Sequence, residues 1–153
     1  MAKPDAGAVT RGAAVEPRAD YFPHGADVGI RGIGPTRESA FEQAAMALSG
    51  IVTDIAGIEQ KASVTVECQA PTDALLLVDW LNALIYRMAV DRMLFSRFTV
   101  RINDHRLQGE AWGEAIDRRR HAPAVEPKGA TYTALKVERG AGGEWTAQCV
   151  IDV

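Results

Sequence analysis

The chain has 153 residues, enough for one domain with a substantial core, and its 47% apolar and 24% charged content is that of an ordinary globule. Against 17 Lys and Arg stand 20 Asp and Glu, a formal charge of −3. That balance argues against dominant binding to bare nucleic acid, where phosphate neutralisation shows as a basic excess. Cys68 and Cys149 both sit in strand-like apolar runs and read as buried reduced thiols, not a disulfide framework. The three histidines are scattered, and no Cys-x-x-Cys or His-x-x-x-His spacing spells a zinc site.

Residues 1–20 are rich in Ala, Gly and Pro, carry Lys3, Arg11 and Arg18, and lack the apolar centre of a signal peptide. They are expected to form a flexible tail ahead of one domain over residues 21–153. The longest apolar stretch, residues 74–81, is broken by Asp79 and is too short to span a bilayer, so a cytoplasmic protein is expected.

Residues 21–33 read as a first strand, interrupted by Pro23 and several glycines where a backbone bends. Thr36 is a fitting N-cap for a helix, because Phe41, Ala44, Ala45, Leu48, Ile51 and Val52 recur at three- and four-residue steps. Residues 62–70 alternate Val64, Val66 and Cys68 with polar residues, the pattern of a strand with one buried face. Pro71-Thr72-Asp73 opens the strongest helix, with an apolar stripe of Leu77, Trp80, Leu81, Leu84, Ile85 and Met88. Phe98, Val100 and Ile102 alternate again, Asn103-Asp104 makes a turn, and residues 107–116 return as a strand. Residues 118–128 then read as a loop. Residues 131–137 and 145–153 are the last two strands, joined by Gly140-Ala141-Gly142-Gly143. Hairpin-linked strands with two main helices give an α+β domain, a largely antiparallel sheet with the helices mainly on one face.

Candidate chemistry centres on two acids in apolar strand contexts. Asp27 lies between Ala26 and Val28, and Asp152 between Ile151 and Val153, whose free α-carboxylate adds a third anion. If the two strands are neighbours, three carboxylates converge, an arrangement that calls for a cation. Solvated strand ends are the simpler account of these two segments taken alone. All-oxygen ligands would favour Ca²⁺, Mg²⁺ or Mn²⁺ over softer metals, and irregular backbone oxygens suit calcium. Lys128 follows Glu126-Pro127 and precedes Gly129, where a rigid entry could hold an ammonium beside the acids or simply an exposed strand end. Asp79 and Asn82 read as the solvated stripe of their helix. The run Arg118-Arg119-Arg120-His121 reads first as hydrated surface, with RNA phosphate or an acidic partner as the alternative. There is no Gly-x-x-x-x-Gly-Lys-Ser/Thr phosphate loop, and Ser39, Ser49, Ser63 and Ser96 lack a nucleophile-elbow setting.

These residues together resemble the archease family, small proteins that assist the GTP-dependent RNA ligase of tRNA splicing (the RtcB type). The resemblance spans residues 21–153. His24-Gly25-Ala26-Asp27-Val28-Gly29-Ile30 is similar to the family's His-Thr-Ala-Asp-Val-Gly-Ile, and Leu76-Leu77-Val78-Asp79-Trp80-Leu81-Asn82 to its Leu-Leu-Val-Asp-Trp-Leu-Asn. Gly113-Glu114 with Asp117 and His121, and the ending Val150-Ile151-Asp152-Val153, follow the family pattern as well. The chain departs from it at Gly25, at Pro23 in place of an acid, and at Thr133 in place of a His. The resemblance implies that Asp27, Asp152 and Val153 bind a divalent cation, calcium first, with magnesium or manganese as alternatives. It implies that Lys128 activates the partner, that His24, Glu114 and His121 neighbour the site, and that no residue is catalytic. The expected partner is the RtcB-type RNA ligase, with RNA met only through it and with no membrane. The expected role, in tRNA processing and RNA repair, is to promote ligase guanylylation and turnover. A free-standing metal-dependent phosphohydrolase and an RNA-binding module built on Arg118, Arg119 and Arg120 are the competing readings.

Overall fold

The computed structural model describes residues 15–153, so most of the expected tail lies outside the described residues. Strand β1 (Arg18–His24) already begins within the stretch expected to be tail, because Arg18, Ala19 and Asp20 pair with Ile33, Gly32 and Arg31. Its partner is β2 (Asp27–Gly34), so the single strand expected over residues 21–33 is instead a tight antiparallel hairpin. Gly25 takes φ of 61° at the first of two loop residues, where a type II′ turn needs a positive φ.

Helix α1 (Arg37–Val52) starts as its sequence dictates: Thr36 Oγ1 accepts from Ser39 N–H at 3.0 Å, and Ser39 Oγ accepts in return from Thr36 N–H. A one-turn 3-10 helix (Ile55–Gly57) leads to β3 (Ala62–Gln69). Helix α2 (Asp73–Val90) is capped by Thr72, and β4 (Met93–Asn103) and β5 (Arg106–Ala115) form the expected hairpin, with Asp104 at φ of 56° in its turn. The segment after β5 is not all loop. Asp117 accepts from the N–H groups of Arg119 and Arg120 and caps a short α3 (Arg118–His121). Of the strand expected over residues 131–137 only the end is strand: β6 (Gly129–Ala130) precedes it, residues 131–135 turn with Ala134 at φ of 53°, and β7 (Lys136–Arg139) follows. β8 (Trp145–Asp152) completes the chain.

The strands are antiparallel throughout but form two sheets. One has the order β1-β2-β8, with β6 and β7 both on the far side of β8; the other is β3-β5-β4. Both helices serve both sheets: α1 touches β2, β8 and β4, and α2 touches β3, β4 and β6. The core between them holds Trp80, Phe41, Phe95, Leu76, Leu81 and Ile151, all fully buried. Trp80 lies edge-on to Phe98 at 6.2 Å, and its indole N–H donates to the Phe41 carbonyl at 3.1 Å, tying α2 to α1. Among the described residues no helix is long and apolar enough to cross a membrane.

Close approach of α1 to the first sheet is possible because small residues face each other. Ala40 and Ala44 lie over Gly32, where any Cβ would run into the Ala40 carbonyl and the Ala44 amide. Gly32→Ala should therefore destabilise the fold by about 1–3 kcal/mol through forced backbone shifts. Gly57→Ala, which meets open space, should change stability by less than about 1 kcal/mol. Urea unfolding of the two variants beside the parent protein checks the contrast.

Candidate functional site

The register of the first sheet places four chain segments side by side at one end. Val28 is opposite Ile151, so the next step along both strands sets Asp27 beside Asp152. His24 is opposite Asp27 across the first hairpin, and Gly129 is opposite Asp152 on the other side. Cross-strand neighbours project to the same face. His24, Asp27, Asp152 and Gly129 therefore form one row, on the face opposite the buried Ile151 side chain. Asp27 is half-buried, while His24, Asp152 and Lys128 are exposed. The Val153 amide lies 3.4 Å from Asp27 Oδ1, and the Lys128 amide donates to the Asp152 carbonyl at 2.7 Å.

This row offers oxygen donors from Asp27, Asp152 and the main chain of Val153. Among the described residues no three His, Cys, Asp or Glu side chains converge as the ligands of one ion. A cation here would rest on two carboxylates and main-chain oxygen, with the remaining positions left to water or a partner. That donor set fits a hard cation that tolerates irregular, partly hydrated coordination, and it does not fit zinc.

Lys128 stands on a segment pinned at both ends. Upstream, the Ala124 amide donates to the Val52 carbonyl at 2.7 Å; downstream, Thr131 bonds the Val150 carbonyl through both its amide and its hydroxyl. Between them Asn82 grips Ala130: its Oδ1 accepts from the Ala130 amide at 2.8 Å and its Nδ2 reaches the Ala130 carbonyl at 3.5 Å. The expectation that Asn82 is merely solvated is thus corrected. Asp79, one turn earlier, is exposed as expected.

Glu114 and His121 form a separate buried node and make no hydrogen bond or ion pair with the aspartate row among the described residues. Glu114 is only 4% exposed. Its carboxylate accepts from Arg120 at 2.6 Å, from the Glu59 amide at 2.7 Å and from His121 Nε2 at 3.0 Å. His121 Nδ1 accepts from the Asp117 amide at 2.8 Å, which leaves Nε2 to face the Glu114 carboxylate. The Thr53 hydroxyl donates to the His121 carbonyl, and the node thereby joins the ends of α1, β5 and α3. Arg120 is consequently a structural partner of Glu114, which leaves Arg118 and Arg119 as the solvated part of the basic run.

The Arg120 guanidinium first, then the Glu59 amide and His121, hold the Glu114 carboxyl down to about 2, against the opposing effect of burial. A depressed carboxylate contributes stability that is present above its unfolded value near 4.5 and is lost as pH falls toward about 2. Glu114→Gln should thus be clearly less stable than the parent protein at neutral pH. The gap should narrow as pH drops from about 4.5 toward about 2, as read by urea unfolding at a series of pH values.

The two thiols lie elsewhere in the same framework. Cys149 is buried in β8, and burial pushes its thiol up to about 12. Cys68 in β3 is raised to about 11, by burial first and then by the nearby Asp79.

With this geometry in place, the comparisons with known proteins agree on one family. The model of the Archease protein family (MTH1598/TM1083) matches residues 20–153. The protein archease of Pyrococcus furiosus is 36% identical over 88% of this chain and 97% of its own length. That of Methanopyrus kandleri is 36% identical over 85% of this chain and 95% of its own. The solution structure of Methanobacterium thermoautotrophicum protein 1598 superimposes with a TM-score of 0.78 at 29% identity, covering 88% of this chain and 98% of that one. The sequence, its α+β architecture and its relatives place this chain in the archease family.

Proposed function

We propose that this chain is a non-catalytic, metal-binding activator of the GTP-dependent RNA ligase of tRNA splicing and RNA repair, promoting guanylylation of the ligase and its multiple turnover. The observation that carries the reading is the row of Asp27 and Asp152 at one sheet end with Lys128 tied directly to Asp152, in a chain of the archease family. Asp27, Asp152 and the main chain of Val153 hold a divalent cation, calcium before magnesium or manganese. Such an ion, when bound, supplies fixed positive charge for phosphate oxygens. Lys128 adds a compact, mobile ammonium on an exposed rim, able to reach into a partner's cleft and stabilise charge on a phosphoryl group in transfer. Asn82 keeps that rim from drifting, because its amide fixes the backbone two residues beyond Lys128. Gly129 presents no side chain at the end of the row, where a Cβ would meet Asn82 Oδ1 at 3.6 Å.

The direct test is a reconstituted ligase assay with and without this protein, following guanylylation and the joining of RNA ends. Unchanged guanylylation and turnover in its presence would refute the reading. The metal half is tested separately by calorimetry. Calcium at a hundredfold excess over its Kd should stabilise the protein by about 2.7 kcal/mol through mass action. Asp27→Asn and Asp152→Asn should each lose most of that shift, and equal shifts in all three proteins would remove the site.

For Lys128, the expected signature separates rate from association. Lys128→Ala should fold normally and keep most of its affinity for the ligase, yet lose the acceleration of guanylylation, since its interaction is made chiefly with the reacting phosphates. Single-turnover guanylylation at saturating activator, beside an affinity measurement, decides it. Wild-type rates would leave Lys128 as an ordinary exposed residue.

A further inference from the structure

We infer that the cleft between the C-terminal half of α2, the start of β4 and residues 123–127 is a docking seat for an apolar side chain flanked by carboxylates on the ligase. This inference rests on the partner proposed above. The cleft holds about 220 Å³, below the roughly 300–1,000 Å³ of small-molecule sites and suited to a single anchoring side chain. Its floor is apolar, with Ile85, Met88, Met93, Ile116, Val125 and Pro127, and the two methionines can reshape around an anchor.

The walls are built before any partner arrives. The Ile116 amide donates to the Arg92 carbonyl at 2.8 Å on one side, and the Ala124 amide to the Val52 carbonyl at 2.7 Å on the other. Arg92 and Ala122, with φ of 55° and 46°, turn the chain into and out of these walls. The rim carries the charge. Arg92 and Arg118 line it and, among the described residues, neither makes an ion pair, whereas the nearby Arg87 is spent on Asp91 at 2.7 Å. Glu126 is the one acid lining the cleft. An anchor with carboxylates beside it meets this rim with complementary sign, and an anchor in a basic segment does not.

Position links the cleft to Lys128. Pro127 lines it and is followed directly by Lys128. Asn82, Tyr86, Ala89 and Val90 fall at i, i+4, i+7 and i+8 on one face of α2, a run of about 12 Å. At one end of that face Asn82 grips the Lys128 segment; toward the other, Tyr86 and Val90, one turn apart, are 62% and 57% exposed. A partner seated in the cleft and along this face is brought against the exposed ammonium.

The test uses full-length protein and the purified ligase from the same source. Ala89→Trp fills the mouth of the cleft from an exposed helix position, and Arg118→Glu reverses one rim charge outside the core. Each should weaken ligase affinity tenfold or more, with melting temperature and the calcium-induced shift as in the parent protein. Affinity of the parent should fall with added salt, and that of Arg118→Glu should fall less. If the parent protein binds the ligase and both variants bind equally well, the cleft is not the seat, while the proposed function stands. If only Arg118→Glu binds normally, the acidic flank is overturned and the apolar seat is kept. If the parent protein itself fails to bind the ligase, both the function and this seat fall together.

Discussion

The candidate site depends on the pairing of β8. It is the one strand that meets β2 on one edge and both β6 and β7 on the other. Asp152 is its own residue, Asp27 is set beside it by the β2 register, and Lys128 is tied to its carbonyl. A one-residue slip of β8 would turn Ile151 outward and Asp152 into the core, so the burial of Ile151 and Cys149 fixes the site as well as the fold.

Two polar anchors then hold what the sheet alone leaves loose. Asn82 carries order from the core helix to the Lys128 rim, and Trp80, two residues before it, carries order from that helix to α1. One side of α2 is thus fixed by apolar burial and an indole hydrogen bond, while another presents both the Asn82 clamp and the exposed Tyr86 and Val90. On the opposite flank of the 123–128 segment, the Glu114–His121–Arg120 node secures the turn by which the chain leaves β5. Glu114 and His121 make their hydrogen bonds within this node, apart from the aspartate row.

The helices were legible because their signals are local: Thr36 and Thr72 cap where apolar periodicity begins, and packing agrees with propensity. The first hairpin was harder to see. Its turn is only two residues, Gly25 and Ala26, between His24 and Asp27, and Pro23 with the glycines of this stretch served equally well for a bend within one strand. Thr131, Tyr132 and Thr133 carry strong strand propensity, yet Thr131 and Thr133 spend their hydrogen bonds on Val150 and the chain turns at Ala134. α3 had a visible cap in Asp117, outweighed by the charge run behind it. The role of Asn82 was hidden because its partner is a backbone group 48 residues away, and no local pattern encodes that contact. The acids of the site were conspicuous because strands seldom place them among apolar neighbours; their side-by-side register depended on strand order, which periodicity does not specify.

Cys149 gives β8 a chemical voice of its own. With its thiol raised to about 12 and fully buried, almost no thiolate exists at neutral pH while the strand is in place. An alkylating reagent can react with it only when the packing that covers β8 opens, so Cys149 modification reports on openings of the core around the central strand. Because the same strand carries Asp152 and holds Asp27 and Lys128 in register, this thiol watches the element on which the aspartate row is built.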